Sequence, residues 1–224
     1  MAPMLYKKDI SPPSRGVLLT AKGLDVELDF TDIDMATGEH LEADYVEKNP
    51  QHTVPMLEDD DLILVDSSAI IIYLASKYCN EDNANMYPDD PKLRALIHHR
   101  LFYNCGTLQS LLGQIVRPFF FEGNTTIDEK LIDKANDAYN ILEKFLGDRE
   151  WMVGDNCTIA DLALIPSVTS LNVLVPIDEE ACPKLLEWIA RVEELPYYEA
   201  NSVGLDDFKA MHEKALAGAE ESAE

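Results

Sequence analysis

The chain has 224 residues and a formal net charge of −24. That length holds one large or two small domains with a sizeable core, and the acidity argues against nucleic acid and anionic membrane surfaces as partners. The longest apolar stretch, 162–175, is broken by Pro166, Ser167, Thr169, Ser170 and Asn172 and falls short of the ~20 residues of a membrane-spanning helix.

Residues 1–79 read as mixed α and β. Met4 to Lys7 is a short strand and Pro12 to Lys22 a helix, with Gly23 expected to end it as a left-handed C′ residue. Val26 to Asp34 alternates as a strand does, with Val26, Leu28 and Phe30 on one face. Leu41 to Lys48 is expected as one short helix. Val54 to Glu58 and Leu62 to Val65 form a hairpin around Asp59-Asp60-Asp61, and Ser67 to Tyr78 is a helix. The order β-α-β-α-β-β-α matches a thioredoxin-like α/β domain.

Residues 80–90, with Asn80, Asp82, Asn83, Asn85, Pro88, Asp89 and Asp90, have the composition of a linker. Residues 91–224 read as an all-α domain. Its expected helices are Leu93 to Val116, Ile127 to Leu146, a nearly all-apolar and therefore central Thr158 to Leu174, Cys182 to Leu195 and a final Asp206 to Leu216. The acidic tail 217–224 is expected to fray. The opening residues lack a basic region followed by an apolar stretch and a cleavage site, so a cytoplasmic location is expected. Cys79, Cys105, Cys157 and Cys182 are scattered, with no CxxC and no histidine at ligand spacing. Reduced structural thiols and no metal are expected.

Four motifs carry chemistry. In Ile10-Ser11-Pro12-Pro13-Ser14-Arg15 a strand ends at a serine and a helix opens on proline, which suits the first helical position. Ser11 reads either as a plain N-cap or as a hydroxyl that holds an anion at a helix N-terminus, with Ser14 a second candidate. In Asn49-Pro50-Gln51-His52-Thr53-Val54-Pro55 the proline enters a strand. This is either a turn before an edge strand or a cis bond that frees the Val54 backbone for a peptide-like ligand. Asp66-Ser67-Ser68 opens a helix. It is a cap that could also bind both charged ends of an amino acid. Thr158-Ile159-Ala160-Asp161 is a capping box with aspartate at N3, stapled by Cys157 and Leu162, and its role is structural.

Taken in order, these motifs resemble the cytosolic glutathione S-transferases over Met4 to about Phe208. The Ser-Pro-Pro-x-Arg start, the Asn-Pro-Gln-His-Thr-Val-Pro segment and the Pro196-Tyr197-Tyr198-Glu199 close resemble the insect delta and epsilon classes, epsilon more closely. The resemblance implies a thioredoxin-like domain followed by an all-helical domain, glutathione as co-substrate, a homodimer and a role in detoxification. It matches Ser11 to the catalytic serine, and His40, His52, Val54, Pro55, Asp66 and Ser67 to the glutathione site. The chain departs from the family at Asp66, where glutamate is usual, and at Ser68, where histidine or arginine is usual. Some epsilon-class members carry an arginine facing glutathione in the middle of the long fourth helix, where this chain reads Gln109-Ser110-Leu111-Leu112 and has no arginine until Arg117.

A hydrophobic electrophile would need an apolar pocket beside the sulfur. Leu108, Leu111, Leu112, Ile115, Phe119, Phe120 and Phe121 are candidates, with Leu205 and Phe208 from the last segment and Met35 and Tyr103 at the border. The same spacing also describes a core helix. A non-catalytic carrier of this fold would lack Ser11 or the Asp66–Ser67 pair, and a thiol oxidoreductase would carry a cysteine at 11 or 14. Isomerase and peroxidase chemistry would use the same thiolate.

Overall fold

The structure, a computed structural model, describes residues 2–223, with side chains as far as Gly218. The N-terminal half runs β1 (Met4–Lys7), α1 (Pro12–Gly23), β2 (Asp29–Asp32), a 3-10 turn (Glu39–Leu41), α2 (Ala43–Lys48), β3 (Met56–Asp59), β4 (Leu62–Val65) and α3 (Ser67–Tyr78). The four strands form one mixed sheet in the order β2-β1-β3-β4, with β1 parallel to β2 and β3 antiparallel to both its neighbours. Leu5 and Leu57 on the two central strands are fully buried.

Register decides where the loops go. Lys7 pairs with Asp32, Tyr6 with Met56, and Met56 with Val65. The ends of β1, β2 and β4 and the start of β3 therefore meet at one end of the sheet. α1 and α3 both begin there, so two helix N-termini, each carrying a partial positive charge, open onto the same place. Lys7 fastens this end. Its buried ammonium bonds Asp9 and Asp32, both at 2.7 Å.

The C-terminal half is helical: α4 (Pro91–Tyr103), a π-helical stretch (Asn104–Gln109), α5 (Ser110–Phe121), α6 (Glu129–Leu146), α7 (Ile159–Leu174), α8 (Pro183–Glu193) and α9 (Glu199–Ala223). α7 is buried on every side, as expected of a nearly all-apolar helix. Its capping box forms: Asp161 accepts from the Thr158 amide at 2.8 Å, and Thr158 Oγ1 accepts from the Ala160 amide at 3.3 Å. The order of elements and the two kinds of domain are those expected.

Several expected boundaries are corrected. Gly23 lies inside α1, and the positive φ belongs to Asp25. A Cβ on Gly23 would stand 2.8 Å from Met86 Cε and 3.1 Å from the Tyr197 ring, so this glycine serves packing. β2 is shorter than Val26 to Asp34 because it is an edge strand, and Phe30 is 48% exposed. Residues 41–48 are not one helix, since extended Glu42 separates the 3-10 turn from α2. The helix expected over 93–116 runs from Pro91 to Phe121 through the π stretch. α6 begins at Glu129, capped by Asp128, not at Ile127. α9 starts seven residues before Asp206 and continues through the expected tail to Ala223, while Glu224 lies outside the described residues.

Candidate active site

Ser11 occupies the N-cap position of α1, yet its side chain makes no capping bond. Pro12 and Pro13 remove the first two amide donors of the helix. The backbone carbonyl of Ser11 accepts from the Arg15 amide at 3.1 Å, and its hydroxyl has no hydrogen-bond partner among the described residues. Ser14 differs. It is fully buried, and its Oγ accepts from the Lys8 amide at 3.5 Å. The sequence left two serines open; only Ser11 keeps a partly accessible, unengaged hydroxyl.

Asp66 caps α3 as expected. Its Oδ1 accepts from the amides of Ser68 at 2.9 Å and Ala69 at 3.1 Å. Both bonds go to one oxygen, so Oδ2, without a hydrogen-bond partner among the described residues, can meet a cation. The residue sits at φ +72°, ψ 120°, a conformation that costs an L-residue about 1–3 kcal/mol and that concentrates at ligand-binding sites. Ser67 and Ser68 are buried behind it. Ser67 Oγ receives Gln109 Nε2 from the helical half at 3.4 Å, while Ser68 Oγ has no partner among the described residues. Gln109 was not among the expected site residues, although the resemblance marks its stretch as the place of a glutathione-facing arginine in some relatives. The nearby Cys105 thiol is pushed up, by burial first and then by the Asp66 charge.

The Val54–Pro55 peptide is cis. Thr53 is held by Tyr45 Oη at 2.6 Å and Asn49 Nδ2 at 2.8 Å on its carbonyl, whereas the Val54 backbone bonds nothing among the described residues. His52 is exposed at φ +45°. Its ring centroid lies 6.3 Å from that of His40, whose Nδ1 is buried without a partner among the described residues. The topology thus brings Ser11, His40, His52, Val54, Pro55, Asp66 and Ser67 to one end of the sheet.

The apolar candidates divide. Leu108, Leu111, Leu112 and Ile115 are buried in the main core. Phe119, Phe120 and Phe208 form an aromatic seam between α5 and α9, with Phe119–Phe120 centroids at 5.0 Å and Phe120–Phe208 at 5.6 Å. Leu205 is buried one turn before Phe208. Tyr103 is turned away toward α6, where its hydroxyl donates to the Ala138 carbonyl at 3.2 Å. Met35 and Phe121 are exposed.

α9 is clamped onto the segment that leads into Ser11. A Cβ on Gly204 would fall 1.9 Å from the Asp9 carbonyl oxygen, so only glycine allows this approach. The buried Arg15 side chain completes the clamp. Its Nη1 donates to Asn201 Oδ1 at 2.8 Å and its Nη2 to Ser170 Oγ at 2.5 Å. Burial pulls its pKa down to about 10 against the opposing pull of Tyr198 and Asp9.

Comparison with known proteins decides the family. The model of the glutathione S-transferase N-terminal domain matches residues 5–82, and that of the C-terminal domain matches residues 103–196. The chain belongs to the glutathione S-transferase family. This transferase is 38% identical over 209 residues to "Glutathione S-transferase 1" of Manduca sexta, covering 92% of this chain and 95% of the relative. Its structure is similar to an epsilon-class glutathione S-transferase from housefly, Musca domestica, at TM-score 0.91 and 40% identity, covering 95% of this chain and 98% of that one. It is also similar to a glutathione transferase homologue from Drosophila mojavensis with bound glutathione, at TM-score 0.92 and 39% identity, covering 95% and 97%. The transferase is therefore an enzyme with a thioredoxin-like domain and a helical domain. Among the described residues, no helix is long and apolar enough to cross a membrane, and no group of His, Cys, Asp and Glu could hold a metal ion.

Proposed function

We propose that Ser11 activates the thiol of glutathione as a thiolate, which attacks hydrophobic electrophiles in detoxification. The unengaged Ser11 hydroxyl carries this reading. A cysteine thiol has a reference pKa of about 8.5, so only a few per cent is ionised at neutral pH. A serine hydroxyl is far too weak an acid to be ionised and serve as a base, but it can donate a hydrogen bond to the sulfur anion. A hydrogen bond to a charged group contributes about 1.5–3 kcal/mol, and a helix N-terminus about 0.3–1 kcal/mol. Lowering the thiol pKa to about 6.5 takes about 2.7 kcal/mol, which the two supply together.

In this reading Asp66 takes the ammonium of the γ-glutamyl end through its free Oδ2, and Ser67 with the α3 N-terminus takes the carboxylate. The Val54 backbone pairs with the cysteinyl residue as a strand would, ahead of Pro55. His40 and His52 meet the glycyl end. The electrophile packs against Phe120, Leu205 and Phe208, with Leu108, Leu111, Leu112, Ile115 and Phe119 behind them. The enzyme works as a cytoplasmic homodimer. The exposed α4 stripe of Ala95, Leu96, His99 and Phe102, spaced along one helical face, supports the dimer.

The test compares two serines. Ser11→Ala should keep the fold and most of the glutathione affinity and lose about tenfold or more in kcat, the worth of the charge-assisted bond. Ser14→Ala should leave kcat near wild type. The reverse pattern assigns the chemistry to Ser14 and sinks the proposal.

A further inference from the structure

The run from α4 to α5 carries its π-helical stretch at the centre, Asn104–Gln109. A π insertion adds a residue to one turn and re-aims the side chains after it, and such insertions collect at functional sites. This one is fixed at its start, where buried Asn104 donates from Nδ2 to the Ala163 carbonyl of α7 at 2.8 Å. At its end Gln109 reaches α3, with Nε2 donating to Ser67 Oγ at 3.4 Å. Among the described residues, Gln109 is the one side chain of the helical half that bonds the 66–68 segment.

We propose that Gln109 is a positioning residue for glutathione, holding the Ser67 hydroxyl so that its proton faces the carboxylate of the γ-glutamyl end. The inference rests on the assignment of Asp66 and Ser67 to that end. A serine hydroxyl has one proton and two lone pairs. Gln109 fills a lone pair, so the proton must be spent elsewhere. Ser67 is 4% exposed and donates to no acceptor among the described residues. An arriving carboxylate supplies that acceptor, and a donor already bonded to the oxygen strengthens the bond it gives. The isosteric Gln109→Glu reverses the arrangement. A carboxylate accepts, so it draws the Ser67 proton to itself and adds negative charge beside the substrate carboxylate.

The experiment measures glutathione KM, kcat and Tm with one aryl halide electrophile. The proteins are wild type, Gln109→Ala, Gln109→Glu, Ser67→Ala and the double variant Ser67→Ala/Gln109→Ala. Gln109→Ala should raise KM about two- to tenfold, the worth of one neutral hydrogen bond, with kcat almost unchanged. Gln109→Glu should raise KM further while keeping Tm near wild type. The double variant should match Ser67→Ala, because Gln109 acts through that hydroxyl. KM raised by Ser67→Ala but unmoved in both Gln109 variants, with only Tm falling, overturns the proposal alone: Gln109 is then a tie between the halves. KM unmoved by Ser67→Ala removes the γ-glutamyl assignment and the proposal with it.

Discussion

Replacing Asp161 by alanine should be the costliest change near the start of α7. The carboxylate is fully buried and accepts from four donors. Oδ1 takes the Met152 amide and Trp188 Nε1, both at 2.9 Å. Oδ2 takes the Thr158 amide at 2.8 Å and Thr158 Oγ1 at 3.0 Å. A capping residue alone costs about 0.5–2 kcal/mol when removed, and that is the expectation for Thr158→Ala. Asp161→Ala also strands the Met152 amide and the Trp188 indole in the core, at about 1–3 kcal/mol for each unsatisfied donor. Removing the charge offsets part of this, because burial already pushes the Asp161 carboxyl above its ordinary value. The net expectation is a loss of about 3–5 kcal/mol, the lost cap and the two stranded donors less that offset. Urea unfolding of the two single variants and the double variant measures it. The Asp161→Ala loss should exceed the Thr158→Ala loss at least twofold, and the double variant should lose less than their sum. Equal single losses that do not add would mean that the carboxylate is a cap and nothing more, and losses that add would mean that the two residues do not share one motif.

Two further outcomes separate packing from recognition and fix a pH dependence. Leu112→Ala should cost about 2–5 kcal/mol of stability, as a buried leucine does, with no change in preference between electrophiles. Phe120→Ala should shift relative kcat/KM between a bulky and a small electrophile by about 1–3 kcal/mol; if both variants lose activity on all substrates in step with Tm, the α5 positions are core alone. Burial alone would raise the Asp59 carboxyl, but bonds from Lys77 at 2.5 Å and Tyr73 at 2.6 Å outweigh it and hold its pKa below the ordinary value. A depressed carboxylate stabilises the fold above its unfolded pKa of about 3.9, and that contribution is lost as pH falls through the folded value. The Tm difference between wild type and Asp59→Asn should therefore be largest near neutral pH and shrink on acidification; a constant difference down to pH ~2 contradicts the assignment.

The features legible in the sequence were local ones. Ser11 beside two prolines, Asp66 before a helix, and Thr158 three residues before Asp161 each state their geometry within one turn of chain. Their common address at one end of the sheet follows from the strand order β2-β1-β3-β4, of which the sequence pattern carried only the order of elements along the chain and the β3–β4 hairpin. Features made by distant partners stayed hidden. α9 was expected to begin only at Asp206, yet it already includes Gly204, a glycine that is there because the Asp9 carbonyl leaves no room for a Cβ. Gly23 misled for the same reason. The N-terminus of α8 has no local cap, since Glu143 of α6 accepts from the Leu185 amide at 2.8 Å across 42 residues. The residue type of Gln109 does not announce its reach to Ser67, because that reach depends on the π stretch that ends on it.

The most direct test of the central claim is the ultraviolet titration of the thiolate of glutathione bound to wild type and to Ser11→Ala. The account predicts ionisation centred about two pH units below the free-thiol value of about 8.5 in wild type, returning most of the way toward it in Ser11→Ala. The same ionisation midpoint in both proteins would contradict it.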